Sequence, residues 1–242
     1  MKIAVVQINP EKGDIHSNIA QHIKYIQAAT ENEVGLVCFP ELSITGYEPG
    51  LADELSTNPN DTRFEVFQQL SDQNNMIIGI GAPIVAEKGN QIGMIIFQPY
   101  QQRICYSKQL LHTDELPFFV NGHYQAIIER EEYKIAPAIC YESLQDEHAD
   151  RSNKLGANIY LASVAKSQRG VDAAKVHYPK IAQKFRMPVL MSNCVGPADD
   201  FIGAGHTAVW SKDGVLLESF NDKATGLIIF DADNDATVKI EF

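Results

Sequence analysis

Three side chains of the kind that carry out nucleophilic catalysis each follow an apolar stretch of this sequence. Glu41 comes just past "VGLVCF", Lys108 follows "RICYS" and Cys140 follows "KIAPAI". A neutral thiol is a poor nucleophile, and a neighbouring base or cation is the usual means of producing the reactive thiolate. Each apolar stretch predicts a buried strand whose end would hold the reactive residue rigidly. Each residue alone also has an ordinary explanation: a solvated turn carboxylate, a surface lysine or a buried packing cysteine.

The elements that would position these residues alternate between strands and helices. The predicted strands cover residues 2–8, 34–39, 76–85, 93–99, 103–107, 158–164, 188–195, 205–211 and 225–233, with two more in the stretch that leads to Cys140. The predicted helices cover residues 18–30, 62–73, 143–157 and 171–186, and a polar loop covers roughly 107–123. Since no linker or repeat divides the chain, the pattern predicts a single α/β domain over residues 1–242.

The composition is that of an ordinary globular protein with an acidic surface. The chain has 242 residues, of which 45% are hydrophobic and 21% charged, and 20 basic against 31 acidic side chains give a formal net charge of −11. This deficit of positive charge argues against nucleic-acid binding. No segment approaches the roughly 18 consecutive apolar residues of a membrane helix, and the N-terminus resembles a first strand more than a signal peptide. We therefore expect a cytoplasmic protein without a nucleic-acid or membrane partner.

The cysteines and histidines give no sign of a metal site or a disulfide framework. The four cysteines lie far apart without a CxxC pair, and the seven histidines show no HxxxH or HExxH spacing. Cysteine usage of this kind is typical of a reducing compartment. We expect Cys38, Cys105 and Cys194 to be packing residues, and we expect no metal and no cofactor.

Three short motifs carry a resemblance to a known family. The segments "FPELSITGY", "YSKQLL" and "AICYESL", in this order, resemble the signature segments of the carbon–nitrogen hydrolase (nitrilase) superfamily, which hold a Glu–Lys–Cys triad. Later stretches such as "LGANIYLAS" and "GAGHTAVWSKDGVLL" also resemble the family, so the resemblance covers nearly the whole chain. It implies an α/β (α+β) fold, a four-layer α-β-β-α sandwich. It also implies a homodimer, or a higher homo-oligomer, in which helices pair to give eight layers.

The resemblance assigns a role to each member of the triad. Cys140 would attack the carbon of an amide or nitrile, and Glu41 would take the thiol proton as general base and return it to the departing ammonia or amine. Lys108 would stabilise the oxyanion, helped by the backbone N–H of Tyr141. A thioester would form, and water activated by the same carboxylate would release the acid. The implied partner is a small-molecule amide substrate.

Three further residues take supporting roles under the same resemblance. Glu115, in "LHTDELPFF", stands where many relatives have a second glutamate that positions substrate and supports the lysine, although the adjacent Asp114 could take this place. Glu142 is the acidic residue after "CY", for which we expect structural hydrogen bonding near the site. Tyr47, which ends the first motif, is expected to line the substrate pocket.

The sequence departs from many amidases of the family in two stretches that line the pocket in relatives. The chain has "SLQDEH" where those relatives have Arg-Phe-Pro-Glu, and "SVAKSQRG" where they often carry an aromatic residue. The second departure contains Lys166 and Arg169. Our hypothesis is that one of them pairs with a substrate carboxylate, so alanine at both positions should raise KM for an acidic amide.

The leading prediction is a cytoplasmic amidase acting on a small linear amide of the ω-amidase or N-carbamoyl type. A short loop after the lysine, and a chain expected to lack a C-terminal extension, favour amide over nitrile hydrolysis. Nitrile hydrolysis and acyl transfer to an amine remain alternatives. The first motif is also similar to the glutamine-hydrolysing domain of NAD synthetases, where a synthetase domain would be expected to follow. An alternative of another class is a catalytically idle binding protein, against which the intact triad counts.

Overall fold

The computed structural model describes residues 1–242, and its first strand shows how the sequence builds the layers. Side chains on a strand point to alternate faces. Ile3 and Val5 pack into one buried cluster, and the residues that follow each of them pack into another. A strand that is apolar on both faces must lie between two other layers.

Fifteen strands and five α-helices make up the chain. The strands are β1 Lys2–Gln7, β2 Leu36–Cys38, β3 Ile77–Ala86, β4 Gly89–Phe97, β5 Ile104–Ser107, β6 Ile128–Arg130, β7 Tyr133–Ile139, β8 Ile159–Val164, β9 Val189–Asn193, β10 Val195–Ala198, β11 Phe201–Ala204, β12 Ala208–Trp210, β13 Leu216–Ser219, β14 Gly226–Asp231 and β15 Ala236–Glu241. The helices are α1 Ile15–Glu31, α2 Ala52–Leu55, α3 Glu65–Asn74, α4 Asp146–Lys154 and α5 Gln168–Phe185. Short 3₁₀ turns cover Pro49–Leu51, Thr62–Phe64 and Cys140–Leu144. None of the helices is long and apolar enough to cross a bilayer.

The strands form two large mixed sheets and one hairpin. The seven-stranded sheet has the order β15-β14-β1-β2-β3-β4-β5, and the six-stranded sheet has the order β13-β12-β9-β8-β7-β6. The central strands β1–β2–β3 and β7–β8–β9 are parallel, whereas the outer pairs are antiparallel. Strands β10 and β11 pair only with each other.

Three buried clusters define four layers. The largest, of 28 residues, takes side chains from both sheets and lies between them. A second cluster packs the outer face of the seven-stranded sheet against α1 and α3, and a third packs the outer face of the six-stranded sheet against α4 and α5. The order of layers is helix, sheet, sheet, helix, which confirms the predicted fold class.

Hydrogen bonds from two serines join the sheets at one end of the sandwich. Ser163, on β8, donates its hydroxyl to the carbonyl of Phe39 at 2.8 Å. Ser192, on β9, donates to the carbonyls of Val6 at 2.6 Å and Cys38 at 3.1 Å. The carboxyl ends of β1, β2, β8 and β9 are thereby held together, and the reactive residues follow strands that end in this region.

The structure contains elements that the sequence analysis does not predict. These are α2, the hairpin β10–β11, and the strands β13 and β15. β15 alternates half-buried and exposed residues at a sheet edge, so its apolar pattern is weak. The first helix begins at Ile15 rather than residue 18 because the Asp14 carboxylate accepts the N–H of Ser17 at 2.9 Å and caps it. The helix predicted over residues 143–157 is shorter, since a 3₁₀ turn precedes α4.

Candidate active site

Glu41 lies in the turn that follows β2. The turn is fixed to β3, since the N–H of Ile44 donates to the carbonyl of Gly81 at 3.0 Å. Both carboxylate oxygens are engaged: Oε1 accepts from Lys108 Nζ at 2.7 Å, and Oε2 accepts from the N–H of Ala165 at 3.1 Å. The side chain is completely buried. The residue after β2 is thus tied to the residue after β8 on the opposite sheet.

Lys108 follows β5, and two backbone hydrogen bonds fix its position. Its N–H donates to the carbonyl of Ile92 at 2.8 Å, and its carbonyl accepts the N–H of Gly122 at 2.7 Å. The fully buried ammonium donates to Glu41 Oε1 at 2.7 Å and to Glu115 Oε1 at 2.5 Å. One cation is therefore shared between two carboxylates.

Glu115 is the acidic residue that the loop after Lys108 brings into the site. Its Oε1 also accepts the hydroxyl of Tyr47 at 2.9 Å, and its Oε2 accepts the N–H of His112 at 2.7 Å. Asp114 instead has a side chain that is 69% exposed and pairs with the His112 ring. Of the two adjacent acids, the structure places Glu115 against the lysine.

Cys140 lies at the end of β7 in a strained conformation. Its φ of +46° falls in the left-handed region, which costs a non-glycine residue free energy and is common at functional sites. Sγ lies 3.6 Å from the carbonyl of Ala165 and 3.7 Å from Lys166 Nζ. Cys140 is a half-buried residue and lines a cavity, so it is not sealed beneath the core.

Glu142 holds the backbone around Cys140 in place. Its buried carboxylate accepts the N–H of Ile139 at 2.8 Å, the N–H of Gln109 at 2.6 Å and the hydroxyl of Tyr106 at 2.5 Å. The Tyr106 hydroxyl also contacts His148 Nε2 at 2.9 Å. The carboxylate thus ties the 3₁₀ turn after β7 to the segment after β5, and it faces away from the cavity.

Charge and burial set the ionisation of Glu41, Lys108 and Cys140. Burial, opposed by the Lys108 ammonium, raises the pKa of Glu41 to about 7. Burial and the Glu41 carboxylate raise the pKa of Cys140 to about 11, although Lys166 and Lys108 act against this. Burial alone would lower the pKa of Lys108, but Glu41, the Cys140 thiolate and Glu115 raise it above its usual range. The resting site therefore holds a neutral thiol beside a carboxyl that titrates near neutrality.

A cavity of about 550 Å³ opens in front of Cys140. Its lining residues are Tyr47, His112, Asp114, Glu115, Cys140, Tyr141, Leu144, Ala165, Lys166, Ser167, Arg169, Gly170, Ala173, Asp200 and Phe201. Six of the nine residues that the sequence analysis singles out reach this cavity. The side chains of the other three, Glu41, Lys108 and Glu142, lie behind it in the protein.

The remaining predicted positions differ in depth. Tyr141 has 37% of its surface exposed. Its backbone N–H lies in the first residues of the 3₁₀ turn, where N–H groups have no acceptor within the turn. Lys166 is buried beside the sulfur, whereas Arg169 is exposed on the first turn of α5. The two cations that the sequence treats as equivalent thus occupy different places.

The cavity wall includes residues that sequence reasoning missed. Phe201 and Asp200 lie on the hairpin β10–β11, and the Phe201 ring meets the Tyr47 ring edge-on at 5.5 Å between centroids. They were missed because the hairpin was not predicted, and only the turn signal "GPADD" could have indicated it. No group of three or more His, Cys, Asp and Glu side chains is arranged to hold a metal ion.

Comparison with known families gives one match over almost the full length. The model of the carbon–nitrogen hydrolase family matches residues 2–240. A glutamine-dependent NAD(+) synthetase from Acinetobacter baylyi is 26% identical over 226 residues, covering 88% of this chain but 40% of the synthetase. A probable nitrilase from Schizosaccharomyces pombe is 23% identical over 244 residues, covering 96% of this chain and 89% of the nitrilase. The chain thus spans less than half of the synthetase and most of the nitrilase.

Solved structures share the fold. The NitN amidase from Nesterenkonia sp. AN1 superposes with a TM-score of 0.88 at 19% identity, covering 97% of this chain and 93% of the amidase. A variant of that amidase in complex with butyramide gives a TM-score of 0.86 at 18% identity, with 99% and 90% covered. At this level of identity the likeness concerns the architecture alone.

Proposed function

This chain belongs to the carbon–nitrogen hydrolase family, and we propose that it hydrolyses the C–N bond of a small linear amide through a thioester on Cys140. One observation carries the proposal. The Lys108 ammonium is shared between Glu41 and Glu115 directly behind a cavity that Cys140 lines. A nucleophile, a base and a fixed cation at one cavity are the parts that acyl transfer from nitrogen to sulfur requires.

The first half of the reaction forms the thioester. Glu41 accepts the proton of the Cys140 thiol as the sulfur attacks the amide carbon, which matches a neutral resting thiol and a base that titrates near pH 7. The negative charge that develops on the amide oxygen is stabilised by the Lys108 ammonium and the N–H of Tyr141. The protonated Glu41 then gives its proton to the nitrogen, the C–N bond breaks, and ammonia leaves.

The second half releases the acid. Glu41, again a carboxylate, takes a proton from a water molecule as its oxygen attacks the thioester carbon. The C–S bond breaks, the sulfur recovers the proton from Glu41, and the carboxylic acid departs. Glu115 supports both halves, because its contacts with Lys108 and Tyr47 fix the ammonium and one wall of the cavity.

The size of the cavity and its exposed cation support a small substrate. About 550 Å³ accommodates a small linear amide of the ω-amidase or N-carbamoyl type. The similar proteins point to amides as well, since one solved amidase holds butyramide and the synthetase is described as glutamine-dependent. For an acidic amide, Arg169 is better placed than Lys166 to pair with the distant carboxylate, because it is exposed at the cavity.

We propose that the protein acts in the cytoplasm. All four cysteines are unpaired, which suits a reducing compartment.

Nitrile hydrolysis is the second candidate, favoured by the similarity to a probable nitrilase over 89% of that protein. A nitrile would use the same nucleophile and would also release a carboxylic acid and ammonia, so the substrate that is turned over, rather than the residues or the products, distinguishes the two activities.

Ammonia release from a substrate panel tests the proposal. The panel contains butyramide, glutamine, succinamate, an N-carbamoyl amino acid and butyronitrile, with hydroxylamine added in parallel to capture acyl groups. We expect turnover of at least one amide, a mass increase on Cys140 during turnover, and loss of both in Cys140→Ala. Cys105→Ala, which removes a thiol on β5 outside the cavity, is the matched control and should retain activity. If no member of the panel yields ammonia or an adduct on Cys140, the proposal fails and the alternative of a binding protein is favoured.

A further inference from the structure

Lys166 is a buried cation without an acidic partner. It is 4% exposed, and its Nζ lies 3.4 Å from the carbonyl oxygen and 3.7 Å from the sulfur of Cys140. Lys108 is paired with two carboxylates, whereas Lys166 forms no ion pair with an acidic side chain. A buried charge is costly unless another charge or hydrogen bonds compensate it. The nearest group that can acquire a negative charge is the thiol of Cys140.

The position of this ammonium is fixed by the surrounding backbone. The N–H of Lys166 donates to Asn193 Oδ1 at 2.8 Å, and its carbonyl accepts the N–H of Ala204 at 2.9 Å. The side-chain stem passes over Gly170, where a Cβ would come within 3.1 Å of Lys166 Cβ. The absence of a side chain at residue 170 leaves room for the stem to turn toward the sulfur.

We propose that Lys166 is a thiolate-stabilising residue, a second cation beside the nucleophile that acts when Glu41 removes the thiol proton. The inference rests on the proposed function, because it deepens the acylation step. The proton moves from Cys140 Sγ to a carboxylate oxygen of Glu41, and the electron pair stays on the sulfur, 3.7 Å from the Lys166 ammonium. No bond to Lys166 forms or breaks, so its effect is electrostatic.

The geometry favours this role over binding of a substrate carboxylate. The acyl carbon must approach Sγ to bonding distance, and a carboxylate at the far end of an acidic amide lies several bonds further away. Lys166 Nζ already lies 3.4 and 3.7 Å from atoms of Cys140, at the reacting end of the substrate. Arg169 has no such contact with the nucleophile and is free to meet a distant carboxylate.

The charged groups around the sulfur come from several segments. Burial, the Glu41 carboxylate and Glu115 raise the pKa of Cys140, while Lys166 and then Lys108 lower it. The other titratable groups that line the cavity are Tyr47, His112, Asp114, Tyr141, Arg169 and Asp200. Because Lys166 opposes the rise more than Lys108 does, removal of its charge should make the thiol harder to ionise.

Alkylation of Cys140 tests the inference without any need for turnover. The variants are Lys166→Met, which removes the charge, Lys166→Arg, which keeps it, and Arg169→Met, which removes a cavity cation away from the sulfur. Each is treated with neutral iodoacetamide and anionic iodoacetate between pH 6 and pH 9, and intact mass gives the rate. Cys140→Ala supplies the background from the other thiols. Lys166→Gln replaces the Met variant if the latter fails to fold.

The expected effect follows from the distance. An opposite charge at this range lowers a pKa by about 1–3 units. Part of the change in thiolate fraction is offset because a more basic thiolate is more nucleophilic, with a Brønsted coefficient of about 0.4–0.5. We expect Lys166→Met to slow alkylation by neutral iodoacetamide between about threefold and about sixtyfold, and alkylation by iodoacetate at least as much. Lys166→Arg and Arg169→Met should stay within about twofold of the unaltered protein with iodoacetamide.

Other outcomes overturn the inference and leave the proposed function open to its own test. Loss confined to iodoacetate in Lys166→Met means that Lys166 attracts carboxylates rather than stabilising the thiolate. Unchanged alkylation in Lys166→Met and Lys166→Gln assigns the residue a packing role. If alkylation depends on Lys166 but no amide in the panel is hydrolysed, Lys166 stabilises the thiolate but the proposed function fails, and with it the role of Lys166 in acylation.

Discussion

At the scale of single residues, Glu41 is the group whose ionisation the site controls most directly. Burial raises its pKa to about 7 against the opposing charge of Lys108. A general base works only when it is unprotonated, so the fraction of active base falls as the pH drops below this value. We expect kcat/KM for an amide to decrease about tenfold per pH unit on the acidic side of pH 7. A rate that is constant from pH 5 to pH 8 would contradict this assignment.

The Glu41→Gln variant tests the same residue by removal. A glutamine keeps the shape but cannot accept the thiol proton, so kcat/KM should fall by about 10²–10⁴. The matched control is Glu33→Gln, at a surface glutamate whose side chain is 88% exposed. Steady-state ammonia release at pH 8 measures both variants, and equal activity in the two would remove Glu41 from the reaction.

Glu41, Lys108 and Cys140 could be singled out from the sequence because each lies in a short local motif. The family motifs also indicated Glu115 and Glu142, but they did not show that Glu115, rather than Asp114, contacts Lys108. The closeness of Lys166 to the sulfur could not be predicted, since the two residues are 26 positions apart and meet only through the pairing of β7 with β8. Side-chain direction depends on packing that a single sequence does not reveal.

At the scale of elements, the turn after β2 is tightly confined by β3. A Cβ on Gly81 would lie 2.4 Å from both the N–H nitrogen of Leu42 and the carbonyl oxygen of Pro40, on either side of Glu41. We expect Gly81→Ala to displace this turn, with about a 10²-fold loss of kcat and about 1–3 kcal/mol of stability. Gly50→Ala is the control, because no atom lies within 4 Å of the added methyl. Urea unfolding and ammonia release report the two effects, and full activity in the Gly81→Ala variant would refute the expectation.

The 3₁₀ turn after β7 depends on Glu142 in a different way. Its carboxylate only accepts hydrogen bonds, from the N–H groups of Ile139 and Gln109 and from the hydroxyl of Tyr106. The NH₂ group of a glutamine would face at least one of these donors without an acceptor between them. We expect Glu142→Gln to lower the free energy of unfolding by about 2–5 kcal/mol. Glu147→Gln, at an exposed position on α4, should change it little. The midpoints of denaturant unfolding measure this change. Equal midpoints for the Glu142→Gln variant and the unaltered protein would show that other contacts hold the turn.

The sequence predicted the central elements better than the edges. Strands that are apolar on both faces, such as β3 and β8, follow directly from their composition. The hairpin β10–β11 includes a glycine and a proline in β10, and β15 is mostly exposed, so neither shows a strong strand pattern. One wall of the cavity, with Phe201, was missed for that reason.

At the scale of the whole molecule, the outer helices are the surface through which we propose that two copies associate. The family resemblance implies pairing through helices, and α5 carries Val176 with 61% of its surface exposed. We expect a homodimer by sedimentation, and Val176→Glu should weaken it because a charge would be buried in the contact. Val215→Glu, at an equally exposed valine outside the helices, is the control. Sedimentation of the unaltered protein as a monomer at micromolar concentration would exclude this mode of assembly.

The place of β1 in its sheet has a consequence for how the chain is made. It lies between β2 and β14, with Lys2 opposite Asp231 and Gln7 opposite Gly226. During synthesis β1 therefore lacks one of its neighbours until residue 231 has emerged, and closing so long a loop is slow. Until then the backbone groups along that edge of β1 are unpaired and open to incorrect partners.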